Sequence, residues 1–577
     1  MSLPSIVEFV LFLLVVTALA PSVGGYLTRV FTGQRTWLDP ALGPLERAIY
    51  RFARVDPRQQ MDWRTYALSF VLFGVAGTVV LFLILMAQSL APWNNRPYLA
   101  TPMTLDPAFN TAVSFVTTTT WQAYAGENTM SYISQMAGLA AQNFLAGAAG
   151  LAVGVAFIRG FAREEASRLG NFWVDLVRAM LWALLPASLA GGLFLVWQGV
   201  PMNFNPYTTV HTLEGGAQTI AQGPVAALGF IENLGTNGGG FFNANNAHPF
   251  QDPTPLTNVV EMLAIVVAPA ALTHTFGRMV GRPRQGWVLY GVMAFLFAAG
   301  LGTFGAAEQH GNTLIAGRAH YVTAASATQS GGNMEGKEVR FGIGDTTLTA
   351  ITTSNGTTGA VNAAPDSYTP LGGLVPLVNM ALGEIVFGGL GTGLYSIILV
   401  ALVGLFIAGL MVGRTPEYLG KKIEPRHMKV IMVYTLAGPV MLLALAALAT
   451  ATNAGQAGLT TNNGPHGLTE ILFAYTSNMA NNGQTFGGLS ANSPFYNLTT
   501  VVAMLVGRFA LGVLALMLAG IFVGQRWRPA TLGTLPTDSL QFGVVIVGTA
   551  VLVGSLTFFP AWALGPVVEH LWMAAGR

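Results

Sequence analysis

The chain has no cysteine among its 577 residues, which excludes disulfides, thiolate metal sites and cysteine nucleophiles. Charge is nearly as scarce: Asp, Glu, Lys and Arg make up 9% of the residues, against about a quarter in an ordinary soluble domain. The net charge of +2 is too small to point to nucleic acid. The eight histidines are scattered, with no pair at ligand spacing, so neither a structural metal nor a cofactor is expected. Also missing are a Gly-x-x-x-x-Gly-Lys-Ser/Thr phosphate loop and the Asp-Lys-Thr-Gly motif of aspartyl-phosphate pumps. The chain cannot hydrolyse ATP alone and is not expected to be an enzyme.

What remains is apolar. Hydrophobic residues make up 52%, and ten segments approach or exceed the ~20 residues a spanning helix needs. They run roughly 4–26, 65–90, 130–158, 173–198, 257–280, 286–306, 374–412, 428–450, 496–524 and 540–565. The first lacks basic residues ahead of it and is expected to be a retained helix, although Ala18-Leu19-Ala20 would suit a signal peptidase. Most Lys and Arg fall in alternate loops, around 27–64, 159–178, 278–284, 414–429 and 526–528. The other side holds only Arg96, Arg318, Lys337, Arg340 and Arg577, and Arg508 is stranded in an apolar span. The positive-inside rule then puts both termini outside.

Four short polar stretches recur on that outer side. They are Thr117–Gln122, Gly235–Gly240, Thr357–Asn362 and Asn481–Phe486, and from Gln122 through Gly238 and Gly359 to Gly483 the gaps are 116, 121 and 124 residues. Each follows a helix-like segment (Phe109–Val116, Val225–Leu234, Thr347–Ser354, Glu470–Met479). At ~1.5 Å per residue these cross only half a bilayer. Their expected starts are Asp106-Pro107, Gly223-Pro224, Asp345-Thr346 and Leu468-Thr469. Irregular backbone at that depth is permitted only where protein or water surrounds it. A re-entrant helix also aims its negative C-terminal end at that point, which favours a cation. Glycine lets backbone carbonyls turn inward, and rings of carbonyls replace the water shell of potassium.

The expected fold is therefore an all-α polytopic membrane protein of about ten transmembrane helices. Four span-pore-span repeats surround a pseudo-fourfold pore, with one extra helix at each end. The divisions are 1–62 (first extra helix and loop), 63–172, 173–284, 285–425 and 426–528 (the repeats), and 529–577 (last extra helix). The seventh segment, Leu374–Val412, is nearly twice the length a bilayer requires. Gly383, Gly388, Gly389, Gly391 and Gly393 interrupt it, so a break is expected there, with Glu384 beside it. An ionisable residue inside a membrane faces the pathway by default. Arg508, with Arg414, is expected to repel a cation below the loops and close the direct inner exit.

Ile231–Asn245 with Ala247-His248-Pro249-Phe250 closely resembles the potassium-binding A subunit of Kdp-type potassium-transporting ATPases. So do Gly126-Glu127, Gly383–Gly389, Gly413–Gly420 and Gly488–Pro494, and the likeness extends over essentially the whole chain. It implies that Thr118, Thr119, Thr236, Asn237, Thr357, Thr358, Asn481 and Asn482 line the main potassium site. It implies that Gln122, Gly238, Gly359 and Gly483 keep the selectivity, and that the break at Gly388 and Gly389 forms a bar across the pore. Potassium is then the substrate and the only metal. Thr118, Thr120 and Ala480 stand where Asn is common in the family, changes that keep the backbone carbonyls. The resemblance further implies a P-type catalytic subunit and two small accessory membrane subunits as partners. It also implies surrounding lipid, no nucleic acid and a bacterial inner membrane. A freestanding potassium channel or cation–potassium symporter would carry a similar pore. A membrane receptor binding small solutes in outer loops 307–373 is a third class.

Overall fold

The computed structural model describes residues 2–576 except 91–102, 320, 321, 327–330, 530 and 532; Arg96 and Arg577 lie outside the described residues. Its main helices, in chain order, begin with α1 (Leu3–Thr32), α2 (Asp39–Phe52), α3 (Trp63–Ala87) and α4 (Leu105–Val116). Next come α5 (Ser134–Ala162), α6 (Phe172–Trp197), α7 (Val225–Leu234), α8 (Pro255–Met279) and α9 (Pro283–His310). The rest are α10 (Gly342–Asn355), α11 (Pro370–Ala381), α12 (Thr392–Val412), α13 (Pro425–Ala451), α14 (Gly464–Ala480), α15 (Pro494–Val523) and α16 (Leu540–Ala574). Among the described residues, ten helices are long and apolar enough to cross a membrane. They coincide with the ten predicted segments, save that the seventh is only α12.

The helices α4, α7, α10 and α14 each precede a polar stretch, as predicted, but α10 and α14, at 14 and 17 residues, are longer than half a bilayer. Their starts differ at two. The third begins at Gly342 and the fourth at Gly464, so Asp345 and Thr469 lie inside the helices and cap nothing. Both starts are glycines with left-handed backbone, φ 60° and 68°, and such a residue turns the chain into the helix sooner than a cap further on could.

The seventh segment breaks as expected. α11 stops at Ala381, α12 starts at Thr392, and the strap between them has left-handed backbone at Gly383, Glu384, Phe387 and Gly391. The two extra helices pack mainly against different spans, and both also touch α9. α1 lies along α8, where Thr275 Oγ1 donates to the Gly24 carbonyl (3.1 Å). α16 lies along α12, with Gly404 close against Thr549.

At the centre stands α5, the most enclosed of the spans. Small residues make that possible. Gly147 faces the Gly235 backbone, Gly150 the Leu390 carbonyl, Gly154 the Gly391 backbone and Gly160 the Ala519 backbone. Close backbone approach is what holds helices together where lipid supplies no hydrophobic drive. At its far end Lys421 Nζ donates to the carbonyls of Gly160 (2.8 Å), Arg163 (2.5 Å) and Phe522 (2.7 Å). The polar segment after α9 is anchored by a fully buried Lys337–Glu308 ion pair (2.7 Å). Glu308 also accepts from the Thr369 amide and hydroxyl (2.8 and 2.7 Å).

Candidate functional site

The four polar stretches meet. Their shared register is visible first in how each loop folds back on its own helix. The amides of Thr119, Asn237, Thr358 and Asn482 donate to carbonyls five residues earlier: Ser114 (3.0 Å), Glu232 (2.9 Å), Thr353 (3.3 Å) and Ser477 (2.8 Å). The residue before each is left-handed, with φ 64° at Thr118, 53° at Thr236, 58° at Thr357 and 58° at Asn481. The residue after each is left-handed too, with φ 50° at Thr120, 75° at Gly238, 76° at Gly359 and 94° at Gly483. Alternation of this kind turns successive peptides opposite ways. β-branched residues rarely adopt it, and such backbone persists only where the surroundings enforce it.

Contacts between loops then close a ring. Gly238 abuts the Thr358 carbonyl, Gly359 the Asn482 carbonyl and Gly483 the Thr119 carbonyl, each too closely for a Cβ. The fourth junction differs in kind: Thr120 Oγ1 donates to the Asn237 carbonyl. One carbonyl per loop, at one register, therefore meets the next loop, in the order one, two, three, four, one.

This geometry corrects the expected alignment of the first loop. Thr120, not Gln122, occupies the position of Gly238, Gly359 and Gly483; counted from Thr120, the first gap is 118 residues. Gln122 lies two residues further on, level with Gly240, Val361 and Thr485, and its Nε2 donates to the Gly240 carbonyl (3.2 Å). The error arose because the first loop has no glycine to count from.

Side chains around the ring mostly hold it rather than face it. Asn237 Nδ2 donates to the Asn143 carbonyl on α5 (2.9 Å). Asn481 Nδ2 reaches Thr119 Oγ1 (2.9 Å) and the Met504 carbonyl (3.0 Å), and Asn482 Nδ2 reaches the Thr353 carbonyl (2.8 Å). The hydroxyls of Thr236 and Thr357 accept from the Leu390 amide (3.1 Å) and the Gly389 amide (2.9 Å). The strap, Gly388 and Gly389 included, thus passes against loops two and three.

Glu384 sits at the same junction, 1% exposed. One carboxylate oxygen accepts from Thr357 Oγ1 and the other from Asn482 Nδ2 (3.1 Å). A carboxylate removed from water costs several kcal/mol unless donors meet it, and here both donors are loop residues. Arg508 lies in a π-helical turn, Val506–Ala510, of α15. It is 6% exposed; its Nη2 donates to the Ala146 carbonyl (2.7 Å), and its guanidinium lies against Gly150, which also faces the Leu390 carbonyl. Among the described residues no carboxylate pairs with it. Arg414 is not brought to this place. It is exposed at the other end of α12, its amide donating to the Gly409 carbonyl (2.8 Å). The 21-residue helix between separates the two arginines by ~30 Å.

Ring, strap and spans define a class: a multi-pass membrane protein whose four polar loops close into one ring. The solved structure of the potassium transporter TrkH from Vibrio parahaemolyticus has a similar fold, with a TM-score of 0.52 at 13% identity over 90% of this chain and 98% of that one. Residues 10–571 match the family model described as "Potassium-transporting ATPase A subunit", and the chain belongs to that family. A relative from Methylobacterium radiotolerans is 52% identical over 100% of this chain and 99% of its own. One from Koribacter versatilis is 48% identical over 99% and 98%. Both carry the name "Potassium-transporting ATPase potassium-binding subunit".

Proposed function

We propose that this chain captures potassium from the outer side in the ring formed by Thr118–Thr120, Thr236–Gly238, Thr357–Gly359 and Asn481–Gly483. It then delivers the ion to a P-type catalytic partner that hydrolyses ATP. The observation that carries this reading is the closure of four loops into a ring, one backbone carbonyl of each lying against the next at one register, in a chain of the potassium-transporting ATPase A family. Carbonyl rings replace the hydration shell of potassium, and the four helices that precede the loops bring their negative C-terminal ends to the ring. The basic-residue pattern supports an orientation with both termini outside, and membership of the potassium-transporting ATPase A family supports a bacterial inner membrane.

The strap and the unpaired guanidinium of Arg508 oppose a straight descent. A sideways route fits better. A cavity of about 140 Å³ lies beside the strap; its lining is mostly apolar (Leu399, Val403, Leu442 and Phe558 among others), with Glu384, Tyr434 and Asn481 among its polar residues.

The deciding experiment is flux in liposomes. Purified alone, the chain should be nearly silent, and with its catalytic partner and ATP it should import potassium. Robust potassium conduction by the chain alone would overturn the reading in favour of a freestanding channel. Arg508→Ala should raise ATP-independent leak; an unchanged leak would remove Arg508 from the barrier.

A further inference from the structure

The histidine spacing in the sequence gives no metal ligands, but the fold assembles a mixed set from three distant segments on the outer side. Asp366 lies in the turn Pro365–Ser367 before α11. His466 and Glu470 are one helical turn apart near the start of α14, and Glu569 comes from the last turns of α16. His466 Nε2 is 3.0 Å from Asp366 Oδ1 and 3.8 Å from Glu470 Oε1. The ligand atoms of these three residues all lie within 4.8 Å of one another. On the other side of the ring, His466 Nδ1 is 2.7 Å from Glu569 Oε1.

We propose that His466, Asp366 and Glu470 form a site for a divalent transition-metal cation of the zinc type, distinct from the potassium ring. Four observations lead there. The Nε2–carboxylate separations of 3.0 Å, also a hydrogen-bond distance, and 3.8 Å lie on either side of the ~3.3–3.6 Å edge of a tetrahedron built on metal–ligand bonds of ~2.0–2.2 Å. Glu569 Oε1 lies at hydrogen-bond distance from Nδ1; with the proton on Nδ1 this is the outer-shell carboxylate–histidine contact that leaves Nε2 for a metal. Glu470 has a fully buried side chain; its Oε1 accepts from Asn462 Nδ2 (2.9 Å), while buried Oε2 has no hydrogen-bond partner.

Charge is the fourth. Three carboxylates surround one imidazole, and among the described residues no Lys or Arg ion pair reaches any of them. A dication on a neutral imidazole offsets more of that charge than a single proton does. Imidazole with carboxylates suits zinc rather than magnesium or calcium. His466 and Asp366 keep about a fifth of their side-chain surface exposed, which leaves a solvent path and room for a water as fourth ligand. A metal held there ties the turn before α11 to α14. Through Glu569 it also steadies α16. His466 packs beside Phe486 (5.7 Å between centroids), three residues beyond Gly483, so the clamp borders loop four.

The test is a zinc titration of the full-length chain, purified with whatever subunits accompany it, against a competing chelator. One Zn²⁺ per chain is expected, with a rise in melting temperature. His466→Gln and Glu470→Gln should abolish both, while Glu569→Gln should keep the stoichiometry and weaken affinity ~10–100-fold. Melting in chelator checks that each variant is folded. Should the first two fail to fold, the graded loss in Glu569→Gln and the wild-type stoichiometry still decide. Absence of saturable zinc binding to the wild type would overturn the proposal. So would binding that all three variants leave unchanged.

Discussion

Loop one and the other three loops reach the same backbone by different means. In loops two, three and four, a glycine occupies the second left-handed position, and the neighbouring carbonyl lies where a Cβ would be. In loop one, Thr120 occupies it at φ 50° and meets its neighbour with a hydroxyl donor. A hydrogen bond thus replaces bare contact at one junction of the four. Because one polypeptide makes all four quarters, each junction is free to differ, and the ring has fourfold register without fourfold chemistry. The lesson is that register, not residue type, marks equivalent positions.

That contrast can be broken from either side. The largest effect is expected at a glycine junction. Gly238→Asp drives a carboxylate into the Thr358 carbonyl, and potassium affinity should fall at least ~100-fold, about 2.7 kcal/mol, measured as the potassium dependence of transport. Removing the hydroxyl at the other kind of junction should matter less. Thr120→Val leaves the shape but frees the Asn237 carbonyl, a loss of about 1 kcal/mol that should appear as a several-fold weaker affinity. Gln122→Ala, which touches only the next level outward, should shift affinity no more than ~3-fold. Smallest of all is Thr120→Gly, which loses the same hydroxyl as Thr120→Val but relieves the strain of a β-branched residue at φ 50°. The two effects offset, and affinity should stay within about twofold. A Gln122 effect larger than that of Thr120→Val would return Gln122 to the ring and reverse the register found here.

The spans were readable because lipid imposes length and hydropathy on them, and the positions of α4, α7, α10 and α14 followed from the polar stretches they precede. The break in the seventh segment was readable too, from excess length and the glycines at Gly383–Gly393. Contacts between distant segments were not. Nothing in the order of residues says that Lys421 reaches Gly160 and Phe522, or that Lys337 pairs with Glu308. The same holds for Asp366, His466 and Glu569, which lie about a hundred residues apart in sequence. Arg414 and Arg508 were grouped by charge alone, and a full helix length parts them. The register of loop one was hidden because its threonines give no landmark. Its signature is torsional, and a letter code does not carry torsion.

Lys421 has a mechanical consequence. An ammonium that already serves three carbonyls has no spare donor, so the knot it ties between the third and ninth spans cannot loosen one thread at a time. Those two pillars are riveted at the end remote from the ring and resist tilting apart. Motion during ion passage is therefore expected in the loops and the strap rather than in the frame that carries them.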